Sequence, residues 1–388
     1  MADIVIIGGG VMGSSAAYHL AMAGAADRVV VVEPDPTYEF ASTPRSSGGV
    51  RSLHGIAENV QMTLYSHQVY GNFPALMAVD GQPGYVGWRN HGYLNLAAGA
   101  DAVRVMEADW KVQRAEGADV ILLERDGLAQ RFPSLNVSDV DLGALALCDG
   151  SLDPYAALMG FRKKAQSLGV RYIKDKVVGI EQSGRRIAAV RLASGERLTG
   201  DLFANMAGAW APEICDMVGM RLPVEPMRRL TFFFECRDAV EVLPTTRDWT
   251  GISVRPEGTG FIVGVTNKAE PGGWNWDVDH GWFDDVIWPR LAHRVPKFES
   301  IKLGRSWSGH YAQNRLDGNI IIGRWDEGPS NFYVFTGCSG AGLQKAPSIG
   351  RAMKELLLDG GYQTIDLTRF SYRRVVDNEP IREYGLTA

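Results

Sequence analysis

Three glycines, Gly8, Gly10 and Gly13, form a G-x-G-x-x-G pattern directly after the apolar run DIVII and at the start of SSAAYHLAMAG. Such spacing lets the first glycine make a tight turn, the second admit a pyrophosphate against the backbone, and the third bring helix and strand close together. Gly8, Gly10, Val11, Met12 and Gly13 are therefore the expected phosphate cradle, facing the N–H groups of a helix N-terminus. Glu33, twenty residues after Gly13, ends RVVVVE and is followed by Pro34. Its carboxylate is placed to accept ribose hydroxyls and to repel a 2′-phosphate, which favours NAD or FAD over NADP.

Further chemistry-bearing residues lie far from this cradle. A carboxylate substrate calls for an arginine fork, and Arg51, Arg228, Arg229, Arg255 and Arg324 are candidates near turns or strand ends, with Arg51 foremost. Tyr311 offers a hydroxyl that orients a carboxylate or amine; His310 is either a base or a packed imidazole. Trp274, Trp276 and Trp282 wall a pocket or fill a core. Cys148, Cys215, Cys236 and Cys338 form no CxxC pair, so neither a metal site nor a disulfide framework is indicated.

Those residues must be positioned by strands and helices. DIVII, GGGVMG, a helix ending at Gly24 and RVVVVE compose one βαβ unit whose strands are continuously apolar, as strands buried on both faces are. A helix is expected over about Glu58 to Phe73, and another after Asp153, an N-cap preceding Pro154 at the first helical position. Strands and Gly turns alternate through LFANMAG. From Leu222 to Trp307 the pattern changes to an antiparallel sheet with a helix, and NIIIG, NFYVFTG and GCSGAGLQKAPSIGRAMKELLLDGG return to the first layer, with Pro347 expected in the first turn of the closing helix. The fold class is α/β (α+β), a Rossmann-like domain with an inserted antiparallel-sheet substrate domain. The cofactor domain is expected at 1–82, 148–213 and 317–388, the substrate domain at 83–147 and 214–316.

Length and composition fit that plan. The chain has 388 residues, ample for two cores, with 45% hydrophobic and 22% charged residues. A net charge of −5, with no basic run, excludes a nucleic-acid partner. No stretch reaches the length of a transmembrane segment and no signal sequence is apparent, so a cytoplasmic location is expected.

The fingerprint is shared by NAD and FAD enzymes, and the late segment TGCSGAGLQ separates them. Gly337, Ser339, Gly340, Ala341 and Gly342 keep the backbone close, and the helix starting near Leu343 and Gln344 points N–H groups to where a reduced flavin carries negative charge. With DIVIIGGGVMGSSAAYHLA, ASTPRSSGGVR, GSLDPYAALMGFRKKAQSLGV, FANMAGAWAPEI and LDGNIIIG, the whole chain resembles the D-amino-acid-oxidase-like FAD oxidoreductases, the group of glycine and sarcosine oxidases. HGYLNLA, LPVEPMRR and VIWPRLAHRVPKFE carry a closer similarity to a mitochondrial branch associated with respiratory complex I assembly.

The resemblance implies that Ser46, Ser47 and Gly48 run along the flavin, that Val177 meets the adenine through its backbone, and that Ala207, Gly208 and Trp210 line the cofactor channel. Substrate is implied on the flavin face beneath the inserted sheet. Two tethering positions differ from the family's covalent members: SGHYAQNRLDGN lacks the cysteine, and Arg45 replaces the histidine, so FAD is expected to be non-covalent. Ile262 stands where the oxidases have a lysine that promotes reaction with oxygen, with Lys345 and Lys268 as substitutes; Ala341 replaces a histidine.

The expected activity is oxidation of the C–N bond of a small secondary or N-methylated amino acid. A quinone or an electron-transfer protein is expected as acceptor. Two other readings stand beside it: oxidation of a 2-hydroxy acid such as 2-hydroxyglutarate with His310 or His54 as base, and a flavin-bound protein that supports assembly of a respiratory complex.

Overall fold

The computed structural model describes residues 3–267 and 269–383. β1 (Ile4–Ile7) lies at the centre of a six-stranded sheet, flanked by β2 (Val29–Val32) on one side and Leu202–Asn205 on the other. Both neighbours run parallel to it, and Arg171–Ile173 and Phe332–Thr336 extend the parallel order outward. Ile321–Gly323 closes one edge antiparallel.

All eight residues of β1 and β2 are buried because each face of the sheet is covered. Ile4, Ile6, Val29 and Val31 pack against α1 (Val11–Leu20) and the helices Pro154–Ser167 and Gly342–Lys354. Val5, Ile7, Val30 and Val32 face a three-stranded sheet through Val177, Ile187 and Val190. The period-two alternation of strand side chains thus serves two cores. α1 and Gly342–Lys354 approach closely: a Cβ on Gly350 would lie 2.3 Å from Ser15 Oγ.

The second layer is an eight-stranded sheet built from Tyr93–Ala97, Val120–Glu124, Leu142–Ala146 and five strands between Val224 and Asn314. It is larger than the antiparallel insert expected over Leu222 to Trp307, and Thr245–Arg247 pairs parallel with Tyr93–Ala97. Its longest ribbon pairs Val224–Cys236 with Ile301–Asn314 in a register that opposes Arg228 to His310 and Met227 to Tyr311. Asp153 caps its helix as expected, accepting from the Ala156 amide at 3.0 Å. α2 (Ala57–Gly71) ends before Phe73, where Asn72 leaves helical geometry. Among the described residues no helix is long and apolar enough to cross a membrane.

One expectation is corrected at the closing helix. Its first residue is Gly342, so Pro347 stands inside it rather than in its first turn. A proline there supplies no N–H to the carbonyl four residues back, Leu343. The Tyr70 hydroxyl from α2 donates to that carbonyl instead, at 2.7 Å in a buried setting. Removing the hydroxyl leaves a buried acceptor unsatisfied, so Tyr70→Phe is expected to lower stability by about 1–3 kcal/mol. Adding Pro347→Ala, which returns an N–H, should recover part of that loss; denaturant titrations of both variants measure it, and a neutral Tyr70→Phe would contradict the account.

Candidate active site

A cavity of about 390 Å³ lies over the C-terminal ends of β1 and β2, the place where open α/β sheets bind ligands. Gly8 makes the turn at φ +99°, and a Cβ there would lie 2.7 Å from the Ala207 backbone. At Gly13 a Cβ would lie 1.9 Å from the Gly8 carbonyl oxygen, whereas one on Gly10 would meet nothing within 4 Å. The second glycine therefore faces open space at the start of α1, which is the opening a pyrophosphate needs.

Glu33 borders this cavity and also holds its floor: one carboxylate oxygen accepts from the Gly9 amide at 2.8 Å, the other from the Asp35 amide at 3.0 Å. Burial pushes its pKa up, against the lowering effect of those two N–H groups. The ribose reading from sequence did not anticipate this clamp on the glycine turn.

Val11, Met12, Pro34, Ser46, Ser47 and Gly48 join the same wall. Val177, Ala207, Gly208, Trp210, Gly337, Gly340, Gly342 and Leu343 complete the sequence-derived residues that line it. Five others do not. Gly13 is packed beneath the turn. The Arg45 guanidinium stacks over Phe40 and Trp276 and donates to the carbonyls of Glu39 (2.6 Å) and Ser308 (2.8 Å). Gln344 accepts from the Arg51 amide at 3.2 Å and contacts His54. Ser339 and Ala341 face a separate cavity.

A smaller cavity of about 110 Å³ opens from the first, sharing Ser46, Ser47, Gly49, Tyr311 and Gly340 as common wall. Arg51, Arg229, Arg247 and Arg255 line it, with Tyr93 and Ile262. The Arg229 guanidinium lies 4.8 Å from the Tyr311 ring centroid. Arg247 and Tyr93 were not foreseen; both sit where Thr245–Arg247 and Tyr93–Ala97 pair, a contact between segments distant in sequence.

The remaining sequence candidates are committed elsewhere. Arg228 pairs with Glu270 at 2.7 Å, and Arg324 donates to the Ser330 carbonyl. Trp274 stacks on Trp210 at 4.3 Å, and Trp276 meets His310 edge to face with ring centroids 4.3 Å apart; neither tryptophan lines the small cavity, and Trp282 borders a minor one beside Arg228. His310 borders the small cavity, but its Nε2 accepts from the Asn275 amide at 3.1 Å, and burial lowers its pKa to about 4. That matches a packed imidazole rather than an available base.

Beyond Cys338 lies a third, polar cavity of about 560 Å³, lined by His54, Asp109, Lys345 and Glu383 among others. Lys345 donates to Asn59 Oδ1 at 2.7 Å, and burial lowers its pKa to about 8. It therefore does not stand in the arginine-lined cavity where Ile262 lies; Lys268 lies outside the described residues.

A family profile described as FAD dependent oxidoreductase matches residues 3–356. "FAD-dependent oxidoreductase domain-containing protein 1" of Xenopus laevis is 37% identical, the match covering 99% of this chain and 85% of that protein. Mitochondrial sarcosine dehydrogenase of Mus musculus is 24% identical over 98% of this chain and 43% of its own length. L-Proline dehydrogenase from P. horikoshii superimposes with a TM-score of 0.89 at 23% identity, covering 98% of this chain and 99% of that one, which shows a shared fold.

FAD fits the open cradle at Gly10 and the walls at Gly8, Gly340 and Gly342. Glu33→Ala, by removing both the ribose acceptor and the clamp on Gly9, is expected to weaken FAD binding by roughly tenfold or more; fluorescence titration of the FAD-free protein measures it, and unchanged affinity would place the carboxylate outside the binding energy. Cys338 is the thiol at the cavity wall; its Sγ packs 3.8 Å from Met12 Sδ, and burial pushes its pKa up to about 12, so no thiolate is available to tether the ring. Acid precipitation should release all FAD into the supernatant, and colour retained in the pellet would contradict non-covalent binding.

Proposed function

The chain belongs to the FAD-dependent oxidoreductase family, and within it we propose an enzyme that oxidises the C–N bond of a small amino acid, secondary or N-methylated, in the arginine-lined cavity. The observation that supports this reading is the shared wall at Ser46, Ser47, Gly49, Tyr311 and Gly340, which sets the arginine-lined cavity directly beside the first one.

When bound, FAD supplies a two-electron acceptor: a hydride leaves the substrate carbon, the C–N single bond becomes C=N, and water releases the carbonyl product and the amine. The protein's share is placement and charge. An arginine fork anchors the carboxylate through paired hydrogen bonds, and the Tyr311 hydroxyl orients the amine. Hydride loss requires the neutral amine. Guanidinium groups around the cavity, with no carboxylate among its described lining residues, disfavour the ammonium form and so lower the substrate's nitrogen pKa. Anchoring and orientation convert an encounter into a near-attack geometry.

The 2-hydroxy-acid reading needs a base for the hydroxyl proton. His310 is engaged with Asn275, and His54 lines the third cavity, its pKa lowered by burial to about 4. The geometry therefore favours the amine.

Electrons are proposed to leave to a quinone or an electron-transfer protein rather than to oxygen. Ile262 stands in the cavity where the family's oxidases are expected to carry a lysine, and the arginines there are charge-matched by the substrate. If a fixed ammonium contributes about 3 kcal/mol to superoxide formation, its absence slows reoxidation about a hundredfold. In an anaerobic screen, N-methylated or cyclic secondary amino acids should bleach the flavin and 2-hydroxy acids should not. Stopped-flow reoxidation by air should be slow and should accelerate in Ile262→Lys; fast wild-type reoxidation would overturn the dehydrogenase assignment, and absence of bleaching by any amine would overturn the reaction.

A further inference from the structure

We propose that the substrate is an amino dicarboxylate, its two carboxylates taken by separate guanidinium groups of the small cavity. This rests on the amino-acid reading and narrows it. Three arginines elsewhere in the chain show one way the fold settles a guanidinium that serves structure. Arg294 pairs with Asp248 at 3.0 Å, Arg374 with Asp317 at 2.8 Å, and Arg228 with Glu270 at 2.7 Å, each carboxylate itself buried. Desolvating a guanidinium is tolerated when a carboxylate and hydrogen bonds replace the lost water.

The small cavity differs from these three pairs, although Arg162 and Arg351, outside it, also keep a buried Nε without a partner. Of the arginines along it, Arg45 is held by two carbonyls and two rings, and Arg255 by the Ser47 and Pro256 carbonyls and by Glu257. Arg51 and Arg229 are different: among the described residues neither has a carboxylate at ion-pair distance, and each keeps a buried Nε with no hydrogen-bond partner, while Asp149 and Glu270 act on them only from farther off and Arg51 also borders the third cavity. Arg229 uses Nη1 on the Arg228 carbonyl and rests its plane over Tyr311. Arg247, only 8% exposed, adds a third positive charge from the strand beside Tyr93. No Asp or Glu is among the described lining residues.

One carboxylate is satisfied by one bidentate fork. A monocarboxylate would therefore engage one of these two guanidinium groups and leave the other without a directly bound carboxylate. A dicarboxylate compensates both, and its amine, lying between them, is held against the Tyr311 and Gly340 edge shared with the cofactor cavity. The small volume, about 110 Å³, suits a compact dicarboxylate rather than a peptide or a nucleotide.

Calorimetric titration of the FAD-bound protein with inert ligands tests the inference without turnover. Glutarate or succinate should bind at least about tenfold more tightly than butyrate or propionate, since the second carboxylate adds a charge-assisted pair. Arg51→Gln and Arg229→Gln should each remove most of that advantage while FAD content stays unchanged. Equal affinity for glutarate and butyrate, or sulfate binding as tightly as glutarate, would overturn the proposal, and this wild-type comparison decides even if a variant fails to fold. A glutarate preference in a protein whose flavin no amine reduces would leave the dicarboxylate site standing and refute the amine oxidation. Bleaching by amino monocarboxylates as readily as by amino dicarboxylates would do the reverse.

Discussion

The site depends on a short staple between the two sheets. The Ser339 amide donates to the Ala312 carbonyl at 3.0 Å, and the Asn314 amide donates back to Ser339 Oγ at 3.0 Å. These bonds join the end of the ribbon strand Ile301–Asn314 to the glycine-rich turn that leads into Gly342–Lys354. Ser339 adopts φ +45° and Gly340 φ +92°, and a Cβ on Gly340 would lie 2.5 Å from the Tyr311 ring. Strain at Ser339 is tolerated because its hydroxyl and amide are both engaged. The result is that Tyr311 and Gly340 border both cavities, so the glycine-lined and arginine-lined compartments meet at one edge.

Charge is divided sharply on either side of that edge. On the cofactor side, Glu33 holds the glycine turn through the Gly9 amide, and the turn in turn leaves Gly10 open. On the other side the described walls of the small cavity carry guanidinium groups with no carboxylate among them. Beyond Cys338 the sign alternates again, with Glu383 accepting from the Gly55 amide and Asn59 while Lys345 donates to the same asparagine. Arg228, Arg294 and Arg374 are paired within the chain, whereas Arg51 and Arg229 beside the small cavity keep hydrogen-bonding capacity for a ligand, an arrangement that directs binding energy at one molecule.

Much of the nucleotide side was legible in the sequence because its signals are local. The turn glycines, the acidic strand end and the Asp153 cap each act within a few residues, and short-range rules describe them. The substrate side was less so. Arg247 and Tyr93 meet through a parallel pair between strands more than a hundred residues apart, and neither carries a local mark. For His310 and the tryptophans the sequence left a site role and a packing role open, and the His310–Asn275 bond and the Trp210–Trp274 stack show His310 and Trp274 engaged in packing, contacts that only the folded chain brings together. Pro347 was misjudged for the same reason: the hydroxyl that makes an internal proline tolerable comes from Tyr70 on another helix.

The central claim, that one edge at Tyr311 and Gly340 joins a flavin cavity to a dicarboxylate cavity, is tested most directly by a crystal structure of the FAD-bound protein soaked with glutarate. The account predicts density for the flavin ring against Gly340 and Tyr311, with the glutarate carboxylates on Arg51 and Arg229. Glutarate beside Lys345 and Glu383, or a flavin ring turned away from the shared edge, would contradict it.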